Sequence, residues 1–97
     1  MNSAQRIAEA DRRRAILAAL ALAPAYTLPQ RSLRAQVEAV GYAVSLDLLR
    51  ADIAWLGDVG LVDPLELDHS RLTDRGLDTV LGRAQVPGVR RPEPGEL

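Results

Sequence analysis

Residues 29–62 read PQRSLRAQVEAVGYAVSLDLLRADIAWLGDVGLV, and this stretch predicts two short helices joined by a tight turn. The first helix of the pair is expected over Pro29–Val40 and the second over Leu46–Val59, with Gly41 after the first and Ser45 as N-cap of the second. Helices of this length are marginal in water, so their apolar stripes must bury each other. The stripes are Leu33, Val37 and Val40 in the first helix, and Leu46, Leu49, Ile53 and Leu56 in the second.

A longer helix is predicted before this pair, from Ala4 to Leu22, with Asn2 or Ser3 as its N-cap and Pro24 after its end. Its apolar stripe occupies only the second half. Followed backwards at helical spacing, the stripe becomes charged, so we expect the first half to project beyond the core or to meet a partner. The apolar stripe is Ile16, Leu17 and Leu20, and its charged continuation is Arg13, Glu9 and Arg6. A stripe of small residues also repeats at seven-residue spacing in this helix, at Ala8, Ala15 and Leu22. We expect this stripe to contact a second subunit, with contact to the last helix as the alternative.

The flanking stretches predict a β-hairpin and one more helix. Pro64 lacks the N–H group that a central strand needs, which predicts an edge strand, and Thr73 is the expected N-cap of the last helix. The expected elements are a link or brief strand over Ala25–Leu28, an edge strand over Leu61–Leu67, a hairpin tip at Asp68–Ser70, a return strand over Arg71–Thr73 and a helix over Asp74–Ala84.

This order of elements predicts a mainly α domain with a small antiparallel β-hairpin, which is a winged helix-turn-helix with a three-helix core, a wing and a C-terminal helix. The domain is expected over residues 1–84. Residues 85–97 carry three prolines and two glycines, which predicts an extended tail. Trp55 is expected in the core under the wing, with a partner-facing anchor as the alternative.

Two phrases of the sequence resemble known regulators. Residues 54–62, AWLGDVGLV, and residues 72–77, LTDRGL, are similar to bacterial winged-helix regulators of the MarR and ArsR type. Together with residues 86–92, VPGVRRP, the chain resembles small winged-helix proteins of Mu-like prophages. This resemblance implies a winged-helix fold and a phage DNA-binding protein. The metal sensing of ArsR proteins is not implied, because it uses Cys and His ligands and this chain has no Cys and one His.

Composition argues against several classes of protein. The absence of Cys excludes disulfides and thiolate chemistry and fits a cytoplasmic location. No apolar run reaches the roughly 20 residues of a membrane span, and no signal peptide is expected. No catalytic triad, phosphate loop or metalloprotease pattern occurs, so we expect no enzyme activity and no cofactor. The acidic residues around His69 are interpreted as an exposed hairpin, with no metal site.

Charge gives a mixed indication about DNA. The net charge is −1 and all twelve basic residues are Arg, so DNA binding needs these arginines gathered on one surface. In a helix-turn-helix, exposed residues early in the second helix of the pair meet base edges. Arg50 is the expected guanine contact, Ser45 a phosphate donor, and the remaining candidates are Arg31 and Arg34 on the first helix of the pair and His69 and Arg71 at the wing. Arg34 has an alternative interpretation as a surface ion pair with Glu38.

The favoured function is therefore binding of double-stranded DNA by a homodimer, in transcription control or DNA handling. The alternative is an adaptor whose second helix of the pair, with a net charge of −2 over Ser45–Val59, contacts another phage protein together with the tail. The run Asp11-Arg12-Arg13-Arg14 spreads around one helical turn. It is interpreted as solvated mixed ion pairs, with phosphate contact as the alternative.

Overall fold

The computed structural model describes residues 2–96. In order, the elements are α1 (Ser3–Ala21), a 3₁₀ turn (Pro24–Tyr26), β1 (Thr27–Pro29), α2 (Gln30–Ala39), α3 (Leu46–Asp58), β2 (Val62–Pro64), β3 (His69–Leu72) and α4 (Asp74–Val80). The helices and the hairpin follow the predicted order, so the layout is that of a winged helix, mainly α with one small antiparallel sheet.

The sheet has three strands rather than the two of a simple hairpin. β3 lies in the centre and pairs antiparallel with both β1 and β2, with Thr27 opposite Arg71 and Val62 opposite Leu72. The link between α1 and α2 thus supplies the third strand. The hairpin turn lies at 65–68, so the expectation of a tip at Asp68–Ser70 is wrong, and His69 lies in β3. The turn forms earlier because Leu67 and Asp68 both adopt left-handed backbone conformations.

The three predicted apolar stripes meet in one core. Ile16, Leu17 and Leu20 of α1 are fully buried against Leu33, Val37, Leu49, Leu56, Leu61, Val62 and Val80. Val40 is the exception: it is 66% exposed, because α2 ends at Ala39 and Val40 is its C-cap. Val44, in the loop that follows, is buried.

The helix ends follow local chemistry. The Asn2 side chain accepts a hydrogen bond from the Gln5 N–H while the Gln5 side chain accepts one from the Asn2 N–H, which is the predicted capping box. Ser45 caps α3 as expected. The last helix is shorter than predicted, ending at Val80 instead of Ala84, because Gly82 adopts a positive φ of 81° that no helix continues through.

The C-terminal segment, residues 85–96, has neither helix nor strand but is not a free extended tail. Val86 and Val89 are buried with the residues of the core, and the Arg90 N–H donates to the Ala10 carbonyl oxygen at 3.2 Å. The segment therefore folds back along α1 and shares the core of residues 1–84. Within residues 2–96, no helix combines the length and the apolar character needed to cross a membrane.

Candidate nucleic-acid interface

The outward face of α3 is small and nearly neutral. Asp47, Arg50, Ala54 and Asp58 are exposed on it, while Asp52 points inward and is buried. Two of the three carboxylates of α3 thus face outward beside one guanidinium. The net charge of this exposed face is therefore −1, whereas the net charge counted along the whole helix is −2. Ser45 starts the helix, and its hydroxyl accepts a hydrogen bond from the Leu48 N–H at 3.0 Å.

Two of the predicted contact residues, Arg31 and Arg50, come together in a cleft. Arg31 at the start of α2 and Arg50 of α3 line it with Gln30 and with Leu67 and Asp68 of the hairpin turn, and its volume is about 300 Å³. We call this site the arginine cleft. Gln30 helps to shape it, since its side-chain oxygen accepts a hydrogen bond from Arg50 Nε at 3.0 Å and its N–H donates to the Asp68 carbonyl oxygen at 2.8 Å.

Arg34 lies outside the arginine cleft and has a structural role. Its Nε donates to the Val44 carbonyl oxygen at 2.8 Å and lies 3.1 Å from Glu38 Oε1. These contacts connect α2 to the loop before α3. They match the ion-pair interpretation of Arg34 and both use its Nε, while its side chain remains 42% exposed.

His69 and Arg71 lie on β3 and do not line the arginine cleft, although His69 directly follows Asp68 of its wall. His69 Nδ1 is 2.9 Å from the Leu67 carbonyl oxygen, and Arg71 Nη2 donates across the sheet to Asp63 Oδ2 at 3.3 Å. Arg71 also lines a separate hollow with Arg75. Across residues 2–96, His69 and its acidic neighbours form no group of three or more that could hold a metal ion.

The interpretation of residues 11–14 as solvated ion pairs is wrong, because all four side chains make ion pairs or other polar contacts with distant parts of the chain. Arg12 makes two hydrogen bonds to the Asp52 carboxylate, one of them from Nη2 to Oδ1 at 3.0 Å. Their side chains are 11% and 4% exposed. The hydrogen bond to Asp52 raises the pKa of Arg12, which therefore stays charged. Asp52 lies on the buried face of α3, between the apolar residues Leu49 and Leu56. Because a buried carboxylate needs a charged or hydrogen-bonding partner, this position in the sequence could have indicated that a cation packs against it.

Arg13 joins α1, α3 and the C-terminal segment. Its guanidinium lies over the Trp55 ring, 3.9 Å from the centroid, and Nη1 donates to the Gly88 carbonyl oxygen at 3.1 Å. Trp55 packs on the core as expected, but it lies under Arg13 and against Gly88 rather than under the wing. The charged half of α1 is therefore attached to the domain from Glu9 onward, and only Ser3–Ala8 remain exposed throughout.

A second ion-pair network closes the end of the chain. Arg90 Nη1 and Nη2 donate to the two oxygens of Glu96 at 2.8 and 2.9 Å, and Arg90 Nε lies 2.7 Å from Asp11 Oδ1. Arg14 Nη1 lies 3.7 Å from Glu96 Oε2. Sequence reasoning missed these pairs, which join residues near the two ends of the chain.

This network predicts an unusually acidic carboxyl group. Hydrogen bonds from Arg90 lower the pKa of Glu96 from 4.5 to about 2. Because the pKa is depressed in the folded state, the pair stabilises the fold above pH 4.5 and this contribution is lost as the pH falls from 4.5 to about 2. We expect the Glu96 carboxyl ¹³C shift to titrate near pH 2, and at a higher pH in Arg90→Gln, in which the Glu93 N–H hydrogen bond and the charge of Arg14 remain. A midpoint near 4.5 in the unmodified protein would contradict the pairing.

Taken with the fold, this geometry defines a winged-helix-like protein with an arginine cleft between α2, α3 and the hairpin turn. The chain is similar to a phage protein: it is 43% identical over 61 residues to the uncharacterized protein gp26 of Escherichia phage Mu. The aligned region is 60% of this chain and spans 64% of the length of the phage protein. No protein-family model and no solved structure matches the chain. The phage relationship therefore comes from sequence similarity, and the winged-helix layout from the structure.

Proposed function

We propose that the chain is a non-enzymatic, phage-related DNA-binding protein that contacts double-stranded DNA through α3, the start of α2 and the hairpin. The observation that supports this proposal best is the arginine cleft. It holds two exposed guanidinium groups from consecutive helices next to the hairpin turn. In a helix-turn-helix, these are the elements that meet base edges and the phosphate backbone.

The proposed division of roles follows from the surroundings of each side chain. Arg50 would reach guanine, because the hydrogen bond to Gln30 restrains its guanidinium and the small exposed residues Ala51 and Ala54 permit a close approach to the groove floor. Arg31 would contact phosphate at the start of α2. Ser45 could donate its hydroxyl proton to a phosphate while its oxygen caps α3.

Two copies would strengthen this weakly charged interface. One outward face of α3 carries a net −1, so a single domain would make few phosphate contacts. A homodimer would place two α3 helices about 34 Å apart, one turn of DNA. His69 and Arg71, on the central strand, would then add contacts along the flanking backbone.

The second candidate function is that of an adaptor for another phage protein. The observation that favours it is a pair of exposed carboxylates on one face of α3. The Asp47 side chain is 98% exposed, and Asp58 is exposed on the same face. Carboxylates in these positions would repel phosphates and suit a basic protein surface. In this alternative α3 would make the contact, with the C-terminal segment contributing only its outer side because Val86 and Val89 are buried.

The test is a DNA-binding titration at several salt concentrations, with duplexes selected from a random pool by the unmodified protein. We expect Arg50→Ala to weaken binding to the selected duplex by about 1–3 kcal/mol. Arg31→Ala should weaken binding to all duplexes alike and reduce the log–log salt slope by about one. Arg83→Ala is the matched control, because Arg83 is 70% exposed but lies outside the arginine cleft.

Selection of no duplex at low salt, or an Arg50→Ala variant that binds as well as Arg83→Ala, would contradict the DNA proposal. Recovery of a specific phage protein that binds the unmodified chain but not an Asp47→Lys variant would then support the adaptor.

A further inference from the structure

The tip of the hairpin holds a leucine in a backbone conformation that leucine rarely adopts. Leu67 and Asp68 have φ angles of 57° and 58°, and the His69 N–H donates to the Glu66 carbonyl oxygen at 3.2 Å. Two positive φ angles inside such a hydrogen bond are the pattern of a type I′ turn, whose central positions favour Asn, Asp and Gly. Aspartate is therefore an ordinary residue at the second central position, whereas leucine at the first is strained.

Main-chain contacts hold this conformation in place, and the leucine side chain takes little part in doing so. The Gln30 N–H donates to the Asp68 carbonyl oxygen at 2.8 Å. His69 Nδ1 lies 2.9 Å from the Leu67 carbonyl oxygen. The Leu67 side chain is 88% exposed, the highest value among the large apolar side chains of residues 2–96. The stability of the fold therefore does not account for leucine here, and strain of this kind is typical of functional positions.

Leu67 and Arg50 line the same cleft. Arg50 belongs to the wall formed by α3 and Leu67 to the wall formed by the hairpin turn. Because the cleft has a volume of only about 300 Å³, the two side chains would meet the same base pair or near neighbours. In the major groove, arginine pairs with guanine, and an apolar side chain contacts the C5-methyl group of thymine.

The charges beside Leu67 favour the major groove over the other surfaces of DNA. Glu66 and Asp68 flank it along the chain, and both are exposed. Phosphates repel carboxylates, so this tip is poorly suited to the backbone or to the narrow minor groove between two rows of phosphates. The wider major groove also presents the amino group of cytosine, which a carboxylate can accept.

We propose that Leu67 is a specificity-determining residue, whose side chain contacts the C5-methyl group of a thymine close to the guanine that Arg50 contacts. This role of Leu67 rests on the proposed function, because it requires the arginine cleft to face the major groove. It adds a chemical preference to that function, since the methyl group distinguishes thymine from cytosine and from uracil.

The experiment replaces each thymine of the duplex selected by the unmodified chain, one at a time, with deoxyuridine. Deoxyuridine pairs with adenine as thymine does and lacks only the C5-methyl group. We expect one replacement to weaken binding by the unmodified chain about fourfold, which is the effect of losing one buried methyl group.

The position of the sensitive thymine is also expected. The guanine contacted by Arg50 is found by replacing guanines with 7-deazaguanine, which should weaken binding by the unmodified chain but not by Arg50→Ala. The sensitive thymine should lie within about three base pairs of it, because one cleft holds both side chains and base pairs are about 3.4 Å apart.

Variants of Leu67 assign the effect to its side chain. Leu67→Ala should bind the thymine and deoxyuridine duplexes equally. Leu67→Gly should also lose the discrimination and should unfold at or above the temperature of the unmodified chain, because glycine relieves the strain of a positive φ. Leu22→Ala is the matched control and should keep the discrimination, since Leu22 is 74% exposed but does not line the cleft.

Three outcomes would overturn the thymine contact while leaving DNA binding intact. They are a set of deoxyuridine duplexes that all bind like the parent, a Leu67→Ala variant that keeps the discrimination, and a Leu67→Gly variant that unfolds at a lower temperature. Inosine in place of guanine removes only an amino group of the minor groove. If that change affected the unmodified chain but not Leu67→Ala, the tip would lie in the minor groove and the proposal would be wrong. Selection of no duplex would reject the proposed function and the role of Leu67 together.

Discussion

Asp52→Ala is expected to lower the free energy of unfolding by about 3–5 kcal/mol, because it leaves the charged Arg12 side chain without its partner beside the core. The side chains of Arg12 and Asp52 are 11% and 4% exposed, so water replaces little of the lost interaction. Since this ion pair attaches the charged half of α1 to α3, its loss should also loosen α1 near Arg12. Urea denaturation followed by helical circular dichroism measures the change.

Two control variants test whether the loss of stability comes from the burial of the Arg12–Asp52 pair. Asp63→Ala also removes one partner of an ion pair, but the side chains of Asp63 and Arg71 are 53% and 50% exposed, so the loss should not exceed about 1 kcal/mol. The double variant Arg12→Met with Asp52→Leu should recover most of the stability lost in Asp52→Ala, because it removes both buried charges. If Asp52→Ala is as mild as Asp63→Ala, Asp52 is not the structural partner of Arg12.

Gly76→Ala is expected to lower the free energy of unfolding by about 2–3 kcal/mol, although alanine normally stabilises a helix relative to glycine. Gly76 lies in α4 where this helix crosses the start of β2. A Cβ atom there would overlap the Leu61 carbonyl oxygen and lie 2.6 Å from Leu72 Cδ1. The backbone cannot easily move away, since the Thr73 N–H donates to that same carbonyl at 3.1 Å. Thermal unfolding of the variant measures the loss.

Gly57→Ala provides the matched comparison. Gly57 is also helical, but the nearest atom to its added Cβ would be Pro64 Cγ at 3.5 Å, which is ordinary contact. This variant should therefore gain up to about 1 kcal/mol from helix propensity. If Gly76→Ala were stabilised as Gly57→Ala is, the close crossing of α4 over β2 would be wrong.

The helices could be predicted because their causes are local. Apolar spacing located the buried faces of α1, α2 and α3, and caps at Asn2, Ser45 and Thr73 set the starts of α1, α3 and α4. The predicted burial of Val40 was wrong for an equally local reason, because the spacing of apolar residues does not show that α2 ends one residue earlier, at Ala39. The hairpin turn places both Leu67 and Asp68 at positive φ. Aspartate tolerates this conformation but leucine rarely adopts it, so the sequence did not indicate that the tip lies there.

The candidate site was only partly predictable, because its partners are distant in sequence. Arg50 was predicted from its exposure and Arg31 from its place on the first helix of the pair, and only the fold shows that both line one cleft. The Arg12–Asp52 pair spans 40 residues and the Arg13–Gly88 contact spans 75. Composition predicted an extended tail, and residues 85–96 do have neither helix nor strand, but no periodicity marks Val86 and Val89 as core residues.

The bond between the Gln30 N–H and the Asp68 carbonyl oxygen has a consequence for recognition. It joins the hairpin turn to the start of α2, while the Gln30 side chain holds Arg50 of α3. The three walls of the arginine cleft, which are α2, α3 and the hairpin turn, are thus held together before a ligand binds. Binding therefore carries no entropy cost for ordering a mobile loop. The same rigidity makes the cleft selective by shape, since widening it would break a main-chain hydrogen bond before any new contact forms.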